Sequence, residues 1–266
     1  MDIMSTQYPS NLTREQFAVI EPMLPKAKPG GRKREVDLFE VLNAILYVLV
    51  EGCRWRSLPA NYPNWSTVYT YLRNWRLDGT WIAIHDELRR RERILSGREE
   101  SPSEAAIDSQ SVKSAAMLDT DIGFDGGKTI KGRKRFISVD TLGLVLRVLV
   151  TAASTTEREG GKQVLKQTKK MGKQVSRLHI IWADGGFSGP EFMMWVMDMC
   201  RWVVQVVLRP QQTKGFVVLK KRWVVERTFG WLMHCRRLVR DYERKPVTSE
   251  TFIYIAMIRI MVRRQA

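Results

Sequence analysis

The chain has 266 residues, 44% of them hydrophobic and nine of them tryptophan, enough for one large or two modest packed domains. Its three cysteines, Cys53, Cys200 and Cys235, form no CxxC or Cys/His spacing, which argues against a zinc site and fits a reducing cytosol. The formal net charge of +16 is uneven, with 15 basic and 4 acidic residues after position 200, so the expected partner is a polyanion, nucleic acid or a membrane surface.

The N-terminus lacks a basic-then-apolar signal pattern. The best apolar run, Val41 to Val50, contains Asn43 and is too short for a bilayer, so a soluble cytoplasmic protein is expected. Asn11-Leu-Thr-Arg-Glu-Gln16 has the form of a capping box with Thr13 as N-cap, and Phe17, Ile20, Met23 and Leu24 follow on one helical face. Pro25 and Pro29-Gly-Gly31 end that helix. The basic, Gly-rich loop Lys26 to Arg34 suits a phosphate backbone and equally suits a plain linker. Asp37 opens a second helix with a broad apolar stripe from Leu38 to Leu49, closed by Gly52. Asn64 starts a third, with Val68, Tyr71, Leu72 and Trp75 inward and Thr67, Thr70, Arg73, Asn74 and Arg76 outward. A fourth runs from about Thr80 to Leu95. Short helices with a basic outer face fit a helix-turn-helix reader of the major groove, and they fit as well a bundle that only packs on another domain. The polar stretch Ser96 to Ser103 marks the boundary: a helical domain over 1–96 and a second domain over 104–266.

From Glu104 the apolar period changes. Ala105 to Val112 reads as a strand, Asp121 to Arg135 as a mobile Gly- and Lys-rich segment, Phe136 to Gly143 as a strand and turn, and Leu144 to Ala152 as a third strand. A basic helix over Lys162 to Met171 precedes the buried strand Leu178 to Ala183, which delivers Asp184-Gly-Gly-Phe187. Pro190 to Met199 is helical, Trp202 to Leu208 is the fifth strand, and after a basic loop Arg222 to Leu232 opens a helix carrying Glu226. A long basic helical tail completes the second domain. This order implies an α+β or α/β fold, a mixed five-stranded sheet flanked by helices.

Ligands of such sheets lie near the carboxyl ends of strands. Asp108 lies within or near the end of the first strand and Asp184 ends the fourth. If those strands are neighbours the two aspartates converge, and Glu226 can join them from a helix crossing the sheet. Alone, Asp184 reads as a turn former in Asp-Gly, and Glu226 as an ion-paired surface residue beside Arg222 and Arg227. Together, three carboxylates with no histidine or thiolate offer hard oxygen ligands for magnesium or manganese. Two such ions ~4 Å apart can activate a water or a 3′-hydroxyl against a phosphodiester. Asp140 ends the second strand in a turn-like Asp-Thr-Leu-Gly, where a structural role is favoured. Asp119, Asp121 and Asp125 read as solvated, and His85, His179 and His234 share no ligand spacing.

The chain resembles bacterial insertion-sequence transposases of the DDE type, in the insertion-sequence-five family. The resemblance rests on Leu12-Thr-Arg-Glu-Gln, Lys28-Pro-Gly-Gly-Arg, Gly52-Cys-Arg-Trp-Arg-Ser-Leu-Pro and Trp65-Ser-Thr-Val-Tyr in the first part. In the second part it rests on Ile107-Asp-Ser-Gln-Ser-Val-Lys113, Lys131-Gly-Arg-Lys-Arg135, Val139-Asp-Thr-Leu-Gly143, Ala183-Asp-Gly-Gly-Phe187 and Arg222-Trp-Val-Val-Glu-Arg-Thr-Phe-Gly-Trp-Leu232. It implies a ribonuclease-H-like catalytic domain in which Asp108, Asp184 and Glu226 bind two Mg²⁺ or Mn²⁺ ions, Asp108 shared by both. It also implies that Arg222 touches DNA phosphate near the scissile bond. Leu219 and Met233 stand where relatives often carry a tyrosine and a lysine, so those two roles are unassigned. Further DNA contacts are expected from Lys131, Arg133, Lys134, Arg135, Arg227, Arg73 and Arg76, with Lys220, Lys221, Arg236 and Arg237 as candidates for the missing phosphate contacts. The implied activity is cutting and transfer of an insertion sequence. The implied partners are double-stranded DNA, as terminal inverted repeats and target, and a second copy of the chain, in the nucleoid and without a membrane.

Overall fold

The Thr13 hydroxyl accepts from the Gln16 backbone N–H at 3.2 Å, and the Gln16 side chain accepts from the Thr13 N–H at 3.1 Å, so the expected capping box starts α1 (Arg14–Ile20). Asp37 caps α2 (Leu38–Glu51) by accepting from the Phe39 N–H, and Asn64 caps α3 (Trp65–Leu77) by accepting from the Ser66 N–H. Gly52 ends α2 with φ of 71°, a left-handed conformation that glycine adopts at little cost. α4 (Thr80–Leu95) follows. The structure, a computed structural model, describes residues 8–27, 35–118, 120–207 and 221–265. Most of the basic Gly-rich loop (28–34), Asp119, Leu219 and Lys220 lie outside the described residues.

Contacts divide the chain into two units, one of residues 1–92, 234–239 and 251–266, the other of 93–233 and 240–250. This differs from the expected division, which left the C-terminal tail with the second domain. The tail carries α8 (Arg236–Val239) and α9 (Pro246–Gln265). In α9 every residue from Phe252 to Ile258 is buried, and a helix apolar all round must be enclosed by other helices. Its arginines serve the same end: Arg259 donates to the Ser10 carbonyl at 3.3 Å, and Arg263 to the Asn11 carbonyl at 3.0 Å. The basic tail is therefore largely internal structure of the helical unit. Among the described residues no helix is long and apolar enough to cross a membrane.

The second unit holds the sheet: β1 (Glu104–Lys113), β2 (Gly123–Asp125), β3 (Ile130–Asp140), β4 (Val145–Ala152), β5 (Ile180–Ala183) and β6 (Val203–Val206). The order is β2-β3-β1-β5-β6, with β4 also paired to β3. Gly132 pairs with Lys113 of β1 and with Gly123 of β2, so β2 lies on the edge of β3 away from β1, continuous with β4. β2 thus adds a strand to the expected five, beside β3 in a mixed sheet that is antiparallel on one side and parallel through β1, β5 and β6. The segment expected to be mobile is instead the β2–β3 hairpin. β3 begins at Ile130, inside the sheet, where the consecutive cations Arg133, Lys134 and Arg135 are buried.

One face of the sheet, carrying Ala105 and Ile107, packs on α5 (Glu157–Lys169) and α6 (Pro190–Cys200) through Val164, Leu165, Phe192 and Val196. Gly160 permits that approach, since a Cβ there would fall 2.2 Å from the Phe136 ring. Side chains alternate along a strand, so Asp108 points to the opposite face. There α7 (Trp223–Met233) lies against β1 and β3, pinned by the Thr228 hydroxyl donating to the Gly143 carbonyl at 2.7 Å.

Candidate active site

Parallel pairing brings the two aspartates together. Ala106 is opposite Trp182 in the β1–β5 register, and two residues further along each strand come Asp108 and Asp184. Asp184 leaves β5 as the cap of a short turn, its carboxylate accepting from the Gly186 N–H at 2.9 Å. Glu226 stands in the first turn of α7, on the same side of the sheet as Asp108. The convergence is measured by Arg222. Its Nη2 lies 3.6 Å from Asp108 Oδ2, 3.8 Å from Asp184 Oδ2 and 3.4 Å from Glu226 Oε1. Side-chain exposure rises from 14% at Asp108 through 30% at Asp184 to 50% at Glu226, so the site has a buried floor and an open rim.

Charge on the floor is costly. Burial, reinforced by the Asp184 charge, pushes the Asp108 carboxyl up to about 6 against the Ser109 N–H, Arg222 and Lys128, which draw it down. A carboxylate held this way gains from any cation placed against it. The Arg222 guanidinium meets that need here, and its Nε is buried with no hydrogen-bond partner among the described residues. Three hard-oxygen donors around one positive charge suit a divalent ion chemically. Among the described residues no three His, Cys, Asp or Glu side chains are close enough to hold an ion as they stand. The carboxylates would have to close on the place the guanidinium occupies.

The other sequence-derived DNA contacts divide by burial. Arg73, Lys131, Lys221 and Arg236 are exposed and Arg76 half-buried. Arg133 and Arg135 are fully buried and Lys134 nearly so, which corrects the expectation that this run faces DNA. Arg133 pairs with Asp241 at 3.4 Å and donates to the Thr120 and Arg244 carbonyls at 3.0 Å, and Lys134 pairs with Asp125 and Glu157, both at 3.3 Å. Arg237 is buried too, over the Trp55 and Phe252 rings and donating to the Cys53 carbonyl at 3.2 Å. Arg227 is half-buried, stacked on Trp223 and Trp231 and donating to the Leu142 carbonyl at 2.9 Å. These cations balance internal charge and satisfy carbonyls.

Asp140 has the structural role favoured for it. It is buried, pairs with Arg93 at 2.7 Å, and accepts from the Leu142 and Leu144 N–H groups. Sequence reasoning missed Glu157, which accepts from the Ser109 hydroxyl at 3.0 Å and packs against the Asp184 turn, where a Cβ on Gly186 would meet its Cγ at 3.0 Å. Asp125, read as solvated, is buried at the end of β2, where it accepts from the Ser111 hydroxyl. Neither residue carries a local signal beyond an acidic side chain near a turn or a helix start. A cavity of about 640 Å³ opens on the α7 face, lined by Arg93, Arg98, Glu104, Trp182, Lys221 and Trp223 among others, with none of the three carboxylates in its wall.

Residues 99–261 match the family model described as "Transposase DDE domain", a match over more than half of the chain. The chain belongs to the DDE transposase family. Residues 12–85 match a second model, "Putative transposase of IS4/5 family". Two relatives come from Burkholderia cepacia. The chain is 36% identical over 105 residues to "Insertion element IS402 uncharacterized 16.2 kDa protein", covering 37% of this chain and 70% of that protein. It is 28% identical over 126 residues to "Putative transposase for insertion sequence element IS402", covering 46% of this chain and 59% of that protein. Membership makes the chain a metal-dependent enzyme of DNA transposition with a ribonuclease-H-like second unit, in agreement with the resemblance carried by its motifs.

Proposed function

We propose that the helical unit binds the terminal inverted repeats of an insertion sequence and that Asp108, Asp184 and Glu226 form the centre that cuts each end. In the cut, a water oxygen bonds to phosphorus and the bond to the 3′-oxygen breaks, leaving a 3′-hydroxyl and a 5′-phosphate. In the transfer, that 3′-hydroxyl oxygen bonds to a phosphorus of target DNA and displaces its 3′-oxygen. The observation that carries this reading is the single guanidinium nitrogen within 4 Å of all three carboxylates.

Asp108 would be shared by two ions, with Asp184 and Glu226 completing one each, and Mg²⁺ or Mn²⁺ suits these oxygen donors. Bound there, such ions supply Lewis-acid activation of the attacking oxygen and stabilise the leaving one. The chain's own work is to hold the carboxylates on a strand, a strand end and a helix that pack independently of DNA, and to keep Asp108 out of bulk water. Arg222, released from the carboxylates, is placed to hold a non-bridging phosphate oxygen. Arg73, Arg76, Lys131, Lys221 and Arg236 are the side chains offered to the DNA backbone. Two copies act together because two ends must be held, and the working place is the nucleoid.

Asp184→Asn tests the centre. The variant binds the ends of the insertion sequence with wild-type affinity and does not nick them with Mg²⁺. Nicking at more than about a hundredth of the wild-type rate, a loss of less than ~2.7 kcal/mol of transition-state stabilisation, is incompatible with Asp184 as a ligand.

A further inference from the structure

The tip of the β2–β3 hairpin brings a second cation to the carboxylate centre. The Lys128 ammonium donates to the Ser109 carbonyl at 3.3 Å, one residue from Asp108. The tip is held by design of its turn. One Asp125 oxygen accepts from the backbone N–H of Gly127 and of Lys128, both at 3.1 Å, while the other accepts from the Ser111 hydroxyl and pairs with the buried Lys134. Lys134 is in turn bound to Glu157, which also accepts from the Ser109 hydroxyl. Through Ser111 and Ser109 the hairpin is fastened to β1, the strand that carries Asp108.

Lys128 itself is exposed, and among the described residues it forms no ion pair. Its partner is a neutral carbonyl, although three carboxylates converge nearby. Arg222, by contrast, is mostly buried and surrounded by all three. An ammonium fixed at the rim of an acidic centre, with no carboxylate ion-paired to it among the described residues, is suited to a bound anion. The centre itself is negative, so a phosphodiester must be met by positive charge from its margin.

We propose that Lys128 is a phosphate-binding residue of the catalytic centre, holding a backbone phosphate of the DNA strand laid across Asp108 and Asp184. The proposal rests on the reading of those aspartates as the cutting centre. Its test separates the two. A supercoiled plasmid carrying the complete insertion sequence is nicked by the full chain with Mg²⁺ over a range of NaCl concentrations. Lys128→Gln lowers the apparent affinity for the plasmid roughly tenfold, flattens the slope of log affinity on log salt by about 0.7–0.9, and is largely rescued by Lys128→Arg. Thermal stability stays close to the wild-type value, because the side chain is exposed, and Mn²⁺ binding is not weakened, because the substitution removes a positive charge beside Asp108. An unchanged salt slope, or a loss that Lys128→Arg does not rescue, overturns the assignment. If Asp184→Asn is inactive in the same assay while Lys128→Gln behaves as wild type, only Lys128 is wrong. If Asp184→Asn still cuts, the centre is wrong.

Discussion

Removing the Arg222 charge would leave three carboxylates facing one another, and the cost can be worked from the geometry. Two unit charges at the 3.6 Å separating Arg222 from Asp108 interact by roughly 4–5 kcal/mol at an effective dielectric constant of about 20. Breaking one side of a buried pair costs about 3–5 kcal/mol in practice, because the abandoned charge stays buried. The pairs with Asp184 and Glu226 are more exposed and add at most ~1 kcal/mol each. Against this, the guanidinium no longer pays for its own desolvation. Arg222→Ala is therefore expected to destabilise the sheet unit by about 3 kcal/mol in EDTA at neutral pH and low salt, measured by urea unfolding. Mn²⁺ at ~100 times its dissociation constant should return about 2.7 kcal/mol, closing most of the gap. The variant should also bind Mn²⁺ more tightly than wild type, since the ion no longer competes with a guanidinium. A variant within ~0.5 kcal/mol of wild type in EDTA, with unchanged Mn²⁺ affinity, would refute the gathering of the three carboxylates around Arg222.

Gly160→Ala drives a Cβ to 2.2 Å from the Phe136 ring, so about 1–3 kcal/mol of overpacking should outweigh the up to ~1 kcal/mol gained in helix propensity; an unchanged or raised urea midpoint would contradict the α5–sheet packing. Arg93→Ala strips the buried Asp140 of its cation and should cost about 3–5 kcal/mol, with partial recovery when Asp140→Asn is added; a cost under ~1 kcal/mol in thermal or urea unfolding would count against the pair. Burial holds the Glu250 carboxyl above its ordinary range, against the pull of the Val150 N–H. Its ionisation thus lowers stability above the folded pKa, and that cost disappears as pH falls through the folded value toward the unfolded one. Glu250→Gln keeps an acceptor for Val150 and carries no charge, so it should be more stable than wild type at neutral pH, with the advantage closing on acidification. A difference independent of pH would rule out the charge as its cause.

Local signals carried far in this chain. Thr13, Asp37 and Asn64 cap the helices they precede, and Gly52 ends α2, because a cap acts within one turn and is written in adjacent residues. The strand positions around Asp108 and Asp184 were likewise legible from apolar runs, and linked motifs named the three carboxylates. What no local pattern contains is register. The β1–β5 pairing that sets Asp108 beside Asp184 joins residues 76 positions apart, and a slip of one residue would turn either side chain to the opposite face. Counter-charge is equally non-local. Arg133, Lys134 and Arg135 read as a basic stretch open to DNA until Asp241, Asp125 and Glu157 are seen against this part of the sheet, and α9 reads as a basic tail until its apolar surface is seen enclosed by the helical unit. The sequence alone determined which groups could do the chemistry. Tertiary structure decided which charges face one another and which remain open to a phosphate, because electrostatic partners are chosen by distance in space.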